Sequence, residues 1–358
     1  MEKHSKLKQF SIIFFVTIVL IFFVEYFFKN KHQRISHKIF HHTFAPNKVF
    51  FYQWGEYKYK ICTEKNGFRI KCGSNSYKDF DIAFIGDSFT EGAGGGFEET
   101  FVGMIANEFP ALKIANLAVS SYTPSIYLTK VRYYLEKGIT FKRLIVYMDI
   151  GDIQDEVIYS IENGKVKQIA HINEKDSAVP YTLSRRIKNE LNWYFPITYR
   201  GLFRLKNLLL YQTQEEYKET SFRFERDHAR SGWTYNSEID GYGEIGLDGA
   251  IKKTIRVMQE LHKLTEQYGI KLSVAVYPWP GQVLFDVENS LQVQIWKKFC
   301  ENRCEYFINS FPSIFNLSKK IGKQKTIDKL YIKHDIHYNY TGNEVLYLDF
   351  LKIFNKEY

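Results

Sequence analysis

No module of a nucleic-acid-binding protein is visible in this sequence: there is no zinc-finger spacing, no RRM signature and no basic helix leading into a zipper. The formal charge is +9 over 358 residues, yet the basic residues are spread along the chain rather than gathered into a block. A diffuse positive balance reads as a solvated basic surface, compatible with anionic lipid headgroups, and not as a nucleic-acid footprint. Internal repeats and low-complexity segments are also missing, which excludes solenoids and disordered arrays. Proline and cysteine are scarce, at 8 and 4 residues. With 45% hydrophobic and 25% charged residues, the composition is that of a globular chain with a well-buried core.

Charge is absent from one stretch in particular. After the short basic tail 1–9, Phe10–Val24 is apolar throughout, and past Glu25 the run extends through Tyr26–Phe28. That length approaches the ~20 residues of a membrane-spanning helix. Bulky Tyr26, Phe27 and Phe28 stand where a cleavable signal would carry small residues, so an uncleaved anchor over 10–28 is favoured. Lysines flank the run on both sides, and the positive-inside count does not orient it.

The four cysteines form two close pairs, Cys62 with Cys72 and Cys300 with Cys304, without the two-residue spacing of a zinc knuckle. Such pairs suit local disulfides in an oxidising compartment, the alternative being four buried thiols in a cytosolic chain. Anchor and cysteines together place the main domain outside the cytoplasm, periplasmic or extracellular. His37, His41 and His42 have no carboxylate or cysteine beside them, so residues 29–78 read as a stalk and hairpin region rather than a metal site. No metal and no cofactor is expected.

From residue 79 the pattern becomes alternating strand and helix. Asp81–Ile85, Leu112–Asn116, Arg143–Met148, Ile270–Tyr277 and Cys304–Asn309 read as strands. Helical spacing lies between them, over Glu98–Phe109, Ile126–Lys137, Ala250–Tyr268 and Leu291–Cys300, with a last helix from Tyr340. Apolar strands separated by helices predict an α/β domain over 79–358 with a parallel sheet. The rhythm breaks at about 157–246, an insertion that forms either a cap or substrate wall or an ordinary surface excursion.

Chemistry concentrates at two places. Phe84-Ile85-Gly86-Asp87-Ser88-Phe89-Thr90-Glu91-Gly92 follows an apolar strand, so Ser88 is presented at the carboxyl edge of the sheet, where ligands of open α/β sheets gather. Asp335-Ile336-His337 near the C-terminus supplies a base and its orienting carboxylate in the order a serine triad needs. His334 is the rival base. Gly94-Gly95-Gly96 lacks the Gly-Lys-Ser/Thr of a phosphate loop, and reads as a flexible lip beside Ser88.

FIGDSFTEG resembles block I of the SGNH/GDSL hydrolases, and Asp335-x-His337 is similar to the Asp-x-His pattern of branches that modify envelope polysaccharides. The resemblance implies a flavodoxin-like three-layer α/β/α fold and a Ser88–His337–Asp335 triad. Its oxyanion hole would fall on Ser88, on Ser121 in place of the usual block II glycine, and on Asp152 in block III, where the family's asparagine is missing and Gln154 is a substitute donor. Asp87 and Trp279 are the expected substrate-binding residues. The function so implied is a membrane-anchored esterase or O-acyltransferase, acting through an O-acetyl or other acyl ester on cell-envelope carbohydrate. A transferase would need a multispan acyl-donating membrane partner. A lysophospholipase or lipase at the membrane surface, and a catalytically inactive binding module, are the alternatives.

Overall fold

The computed structural model describes residues 34–54, 57–172, 178–180, 230–236 and 238–354, with positions 16, 17, 20, 21, 187 and 198 besides. The chain divides into two compact units, residues 1–33 with 181–219 and residues 34–180 with 220–358. The second holds everything described below. The expected anchor over 10–28 lies almost wholly outside the described residues, among which no helix is long and apolar enough to cross a membrane.

The second unit opens with β1 (Arg34–His37) and β2 (His41–Phe44), an antiparallel pair. β3 (Val49–Trp54), β4 (Tyr57–Thr63) and β5 (Arg69–Ile70) follow as an antiparallel ribbon. The Asn66-Gly67 turn between β4 and β5 is closed by Glu64, whose carboxylate accepts from the amides of Asn66 and Phe68. Then come β6 (Asp79–Ile85), the short α1 (Ser88–Glu91), α2 (Phe101–Glu108), β7 (Ile114–Asn116), α3 (Pro124–Glu136), β8 (Thr140–Met148) and α4 (Asp152–Val157). The hairpin β9 (Tyr159–Glu162) and β10 (Lys165–Gln168) and the pair β11 (Ala170–Ile172) and β12 (Ala178–Pro180) are the described strands of the 157–246 stretch. The chain closes with α5 (Gly246–Gln267), β13 (Lys271–Val276), α6 (Pro280–Phe285), α7 (Leu291–Cys300), β14 (Tyr306–Asn309), α8 (Phe311–Ile321), α9 (Lys323–Leu330) and α10 (Tyr340–Phe354).

One eight-stranded sheet runs β14-β13-β8-β6-β7-β5-β4-β3. Its five parallel strands, counted in chain order, lie 2-1-3-4-5, the doubly wound order whose ligand crevice opens between the first and third strands, here β6 and β8. Right-handed crossovers then send helices to opposite faces: α2 packs with α10, and α3 packs with α5. The central strands are apolar because both faces are covered. Phe84, Ile85, Leu144 and Val146 are fully or almost fully buried, each contributing about 1.5–3 kcal/mol by leaving water.

Residues 34–78 correct the expected stalk. Three of their strands extend the main sheet, and Phe40, Phe44, Ile61 and Phe68 sit in the core. His37 stacks on Phe40 with centroids 3.6 Å apart, while His42 Nε2 bonds to the Ser120 carbonyl at 2.9 Å. These histidines pack within the domain instead of lining a solvated face. Both close cysteine pairs are disulfides: Cys62–Cys72 links β4 to the segment after β5, and Cys300–Cys304 closes the turn from α7 toward β14.

Candidate active site

β6 delivers its last residues to the crevice between itself and β8. At Gly86 a Cβ would fall 2.2 Å from Thr90 Oγ1 and 2.9 Å from the Tyr147 carbonyl, so only glycine lets the chain turn this close to β8. Asp87 then caps α1, its Oδ1 accepting from the Phe89 amide at 2.9 Å. Ser88 begins that helix with its side chain on the crevice side.

The loop after α9 meets it there. His337 Nε2 lies 2.7 Å from Ser88 Oγ, and His337 Nδ1 lies 2.6 Å from Asp335 Oδ1. Asp335 Oδ1 also accepts from the His337 amide at 2.9 Å, so the carboxylate fixes the ring from two atoms. Asp335 Oδ2 accepts from the Trp54 indole N–H at 2.7 Å. Burial pushes the Asp335 carboxyl up, but the hydrogen bonds and charge of His337 and the Trp54 N–H outweigh it and hold the group below the usual carboxylate range. His337 is 2% exposed, sandwiched between the Phe89 ring at 4.5 Å and the edge of Trp54 at 4.7 Å. Ser88 Oγ, His337 and Asp335 therefore form one continuous hydrogen-bonded line, reached from two distant parts of the chain. His334 is exposed, and sits at a left-handed backbone position outside that line.

Trp54 carries no sequence signal, because it ends an edge strand 281 positions from its partner. Trp54→Phe keeps the ring edge against His337 and removes only the N–H. A hydrogen bond to a charged acceptor contributes roughly 1.5–3 kcal/mol, so kcat on a simple ester should fall about tenfold or more with the melting temperature little changed. Steady-state kinetics with a melting curve checks this, and unchanged kcat would remove Trp54 from the site.

The loop after β7 is tied to the helix that carries Ser88. Asn116 Nδ2 donates to the Thr90 carbonyl at 2.7 Å, and its Oδ1 accepts from the Ala118 amide at 3.1 Å. Glu91, fully buried, accepts from the Ser120 amide at 2.5 Å and the Ser120 hydroxyl at 2.8 Å. Arg34 Nη2 completes the tie, donating to Glu91 Oε2 at 3.1 Å and Ser120 Oγ at 2.7 Å. Beneath, Arg69 clamps the carbonyls of Glu91, Gly92 and Gly95, and Lys130 Nζ donates to the Leu117 carbonyl at 2.7 Å. Burial pulls the Lys130 amine well below its ordinary value. With this support Ser121 holds φ 65°, a left-handed conformation that serine rarely adopts, and it is exposed.

Asp152 and Trp279 sit elsewhere than the sequence reading put them. The Asp152 carboxyl is 1% exposed, accepting from the Tyr127 hydroxyl at 3.0 Å and the Asp149 amide at 3.1 Å, so it is packed away from a substrate oxyanion. Gln154 turns its amide nitrogen to the Gly241 carbonyl at 3.3 Å. Trp279 is 1% exposed and spends its indole N–H on Asp149 Oδ2 at 2.6 Å, which leaves no face for stacking on a sugar. Asp87 faces inward as well, meeting Ser88 Oγ at 3.2 Å and the Tyr277 hydroxyl at 3.4 Å. Asp87, Asp149 and Asp152 thus form a buried acidic cluster behind Ser88. Burial first, and the neighbouring carboxylates next, push Asp87 and Asp152 well above the carboxylate range; burial also raises Asp149, against the pull of Arg230. Among the described residues no group of three His, Cys, Asp or Glu is arranged to hold a metal ion.

No family model and no curated protein matches this sequence. Among solved structures it is similar to the psychrotrophic esterase EstA from Pseudoalteromonas sp., at 11% identity over 78% of this chain and 98% of that one, with a TM-score of 0.38. It is similar to the acetylxylan esterase Axe2 from Geobacillus stearothermophilus at 12% identity over 79% and 95% of the two chains, with a TM-score of 0.38. A member of the lipolytic G-D-S-L family from Veillonella parvula gives 9% identity over 77% and 98%, with a TM-score of 0.41.

Proposed function

We propose that this chain is a serine esterase or O-acyltransferase of the SGNH/GDSL kind, acting on acyl esters of cell-envelope carbohydrate outside the cytoplasm. The observation that carries the esterase reading is the line Ser88 Oγ–His337 Nε2 at 2.7 Å and His337 Nδ1–Asp335 Oδ1 at 2.6 Å. A serine hydroxyl is a weak nucleophile until a base within hydrogen-bond reach takes its proton. In this geometry His337 takes it as Oγ bonds to the ester carbonyl carbon and the carbonyl electron pair moves onto oxygen. Asp335 holds the tautomer and stabilises the imidazolium. In this reading the amides of Ser88 and Ser121 receive the oxyanion, and the left-handed backbone at Ser121, φ 65°, supports that role for its loop. Collapse expels the alcohol, which takes the proton from His337, and leaves an acyl group on Ser88. Water or a sugar hydroxyl, deprotonated by the same histidine, then removes it.

The two disulfides support an oxidising compartment. The apolar run Phe10–Val24 supports a membrane anchor, and with it a substrate in the envelope. A single span carries no acyl group across a bilayer, so a transferase would draw on a multispan donor protein.

The test is active-site labelling of the full-length chain. A fluorophosphonate should label the native protein and leave Ser88→Ala unlabelled; native protein that stays unlabelled would discard the esterase reading. Release of acetate from acetylated polysaccharide, against fatty acid from lysolipid, then separates the carbohydrate reading from a lipase. Transfer to an added oligosaccharide in preference to water identifies an acyltransferase.

A further inference from the structure

The acidic cluster behind Ser88 poses an electrostatic problem. Asp87 touches the nucleophile whose attack generates an oxyanion, and a chain of contacts joins it to Asp149. Ser88 Oγ meets Asp87 at 3.2 Å, Asp87 meets the Tyr277 hydroxyl at 3.4 Å, and that hydroxyl donates to Asp149 at 3.0 Å. Burial, with repulsion between carboxylates added at Asp87 and Asp152, raises all three carboxyls of the cluster toward the neutral form. Whatever negative charge the cluster keeps opposes an oxyanion more strongly in a pocket shielded from water than it would in solvent.

Arg230 is built against this cluster. The chain directly before it lies outside the described residues, but three residues after it Trp233, 2% exposed, donates its indole N–H to the Ile150 carbonyl at 3.1 Å. That bond pins the segment to the turn between β8 and α4. The guanidinium pairs with Asp155 on α4 and lies 5.5 Å from the centre of the Trp279 ring. Trp279 in turn donates to Asp149.

Gly151 records how closely the cation approaches. A Cβ at that position would stand 2.8 Å from Arg230 Nη2 and 2.8 Å from Asp149 Oδ1. The guanidinium therefore occupies the space that any side chain at 151 would enter, at the carboxyl end of β8 facing the crevice. At 21% exposure the Arg230 side chain is neither a free surface charge nor sealed in the core.

We propose that Arg230 is a positioning residue for the reaction at Ser88, its guanidinium supplying the positive charge that offsets the buried carboxyls and favours the oxyanion. The inference rests on the esterase reading above. It assigns to the segment after the 157–246 insertion's undescribed part a role that the strand–helix pattern gave no reason to look for. A guanidinium stays charged at any accessible pH, so its attraction for an oxyanion persists whether or not the cluster is protonated.

Arg230→Gln and Arg230→Lys in the full-length chain, assayed on p-nitrophenyl acetate and by rate of fluorophosphonate labelling, test this. Loss of one oxyanion-stabilising group costs about a hundredfold or more in kcat. Arg230→Gln should therefore lose about a hundredfold in kcat with KM changed less than about threefold, the signature of an interaction made in the transition state. Labelling should slow in parallel, because the phosphonyl transition state is also anionic. Arg230→Lys, which keeps the charge, should recover to within about tenfold of native kcat. A merely structural ion pair with Asp155 predicts something else: a lowered melting temperature in Arg230→Gln, with kcat measured well below it staying within about tenfold of native. That result, or native kcat in Arg230→Gln, overturns the proposal. If native protein labels at Ser88 and Arg230→Gln labels equally fast, this inference fails while the esterase reading stands. If native protein does not label, the esterase reading fails and takes the inference with it.

Discussion

Ser88→Ala and His337→Gln should each lower kcat on a simple ester by about 10⁴-fold or more, and the double variant should be no worse than the worse single one. Each side chain is useless to the step without the other. Oγ cannot attack while it keeps its proton, and the imidazole has nothing to activate once Oγ is gone. Non-additivity is thus a sharper readout than the size of either loss, since two independent contributions would multiply. Glutamine is chosen over alanine at 337 because the ring is buried between Phe89 and Trp54, and truncation there would open a cavity. Ser88→Ala removes one oxygen from a site that is 8% exposed and should leave the melting temperature nearly unchanged. Pre-steady-state kinetics with both singles and the double checks the cycle. Losses that multiply, or a Ser88→Ala enzyme within tenfold of native, would mean that the hydrogen-bonded line is not the reacting centre.

The central sheet was legible because its strands are covered on both faces, and burial on both faces leaves a continuous apolar run. Arg143–Met148 and Ile270–Tyr277 were expected as strands, and β8 and β13 coincide with them to within a few residues. The Ser88 string was legible for the same reason, since a turn after such a strand can only open at the sheet edge. β3 and β4 hid because one of their faces is wet. Val49, Phe51 and Gln53 are exposed in β3, and Lys58 and Lys60 in β4, so these strands read as mixed basic sequence, and only the hairpin around Asn66-Gly67 was expected there. Trp54, Arg34 and Arg69 went unseen with it. Lys130 left a fainter trace, a charge four residues after Ile126 on the face of α3 that carries Tyr127 and Leu128 into the core. A cation on an apolar face marks a buried partner, but nothing local says that the partner is the Leu117 carbonyl. Asp152 and Trp279 misled for a related reason: spacing placed them at the right sheet edge, and only packing decides which way a side chain turns once there.

Glu91 should show the largest effect on stability. Its carboxylate is fully buried and takes four hydrogen bonds, from Arg34 Nη2 at both oxygens and from the amide and hydroxyl of Ser120. Burial opposes the charge on Arg34, yet Glu91 more than compensates and the guanidinium is held above its ordinary value. Removing one partner of such a pair costs about 3–5 kcal/mol, mostly because the other charge is left stranded. Arg34 retains 27% side-chain exposure, so water relieves part of that cost, and Glu91→Ala should lose about 3 kcal/mol. Urea unfolding would read this as a lower midpoint at unchanged slope. Arg34→Met combined with Glu91→Leu strands no charge, and should recover most of the stability that Glu91→Ala loses. It should not recover activity, because the Ser120 amide and hydroxyl have still lost the acceptor that steadies the neighbouring left-handed turn at Ser121. A double variant as active as native protein would show that the Ser121 conformation is set by its own loop and owes nothing to Glu91. A double variant that is stable and slow, with kcat down at least about tenfold and KM little moved, would place the buried pair in the positioning of the oxyanion amide rather than in folding alone.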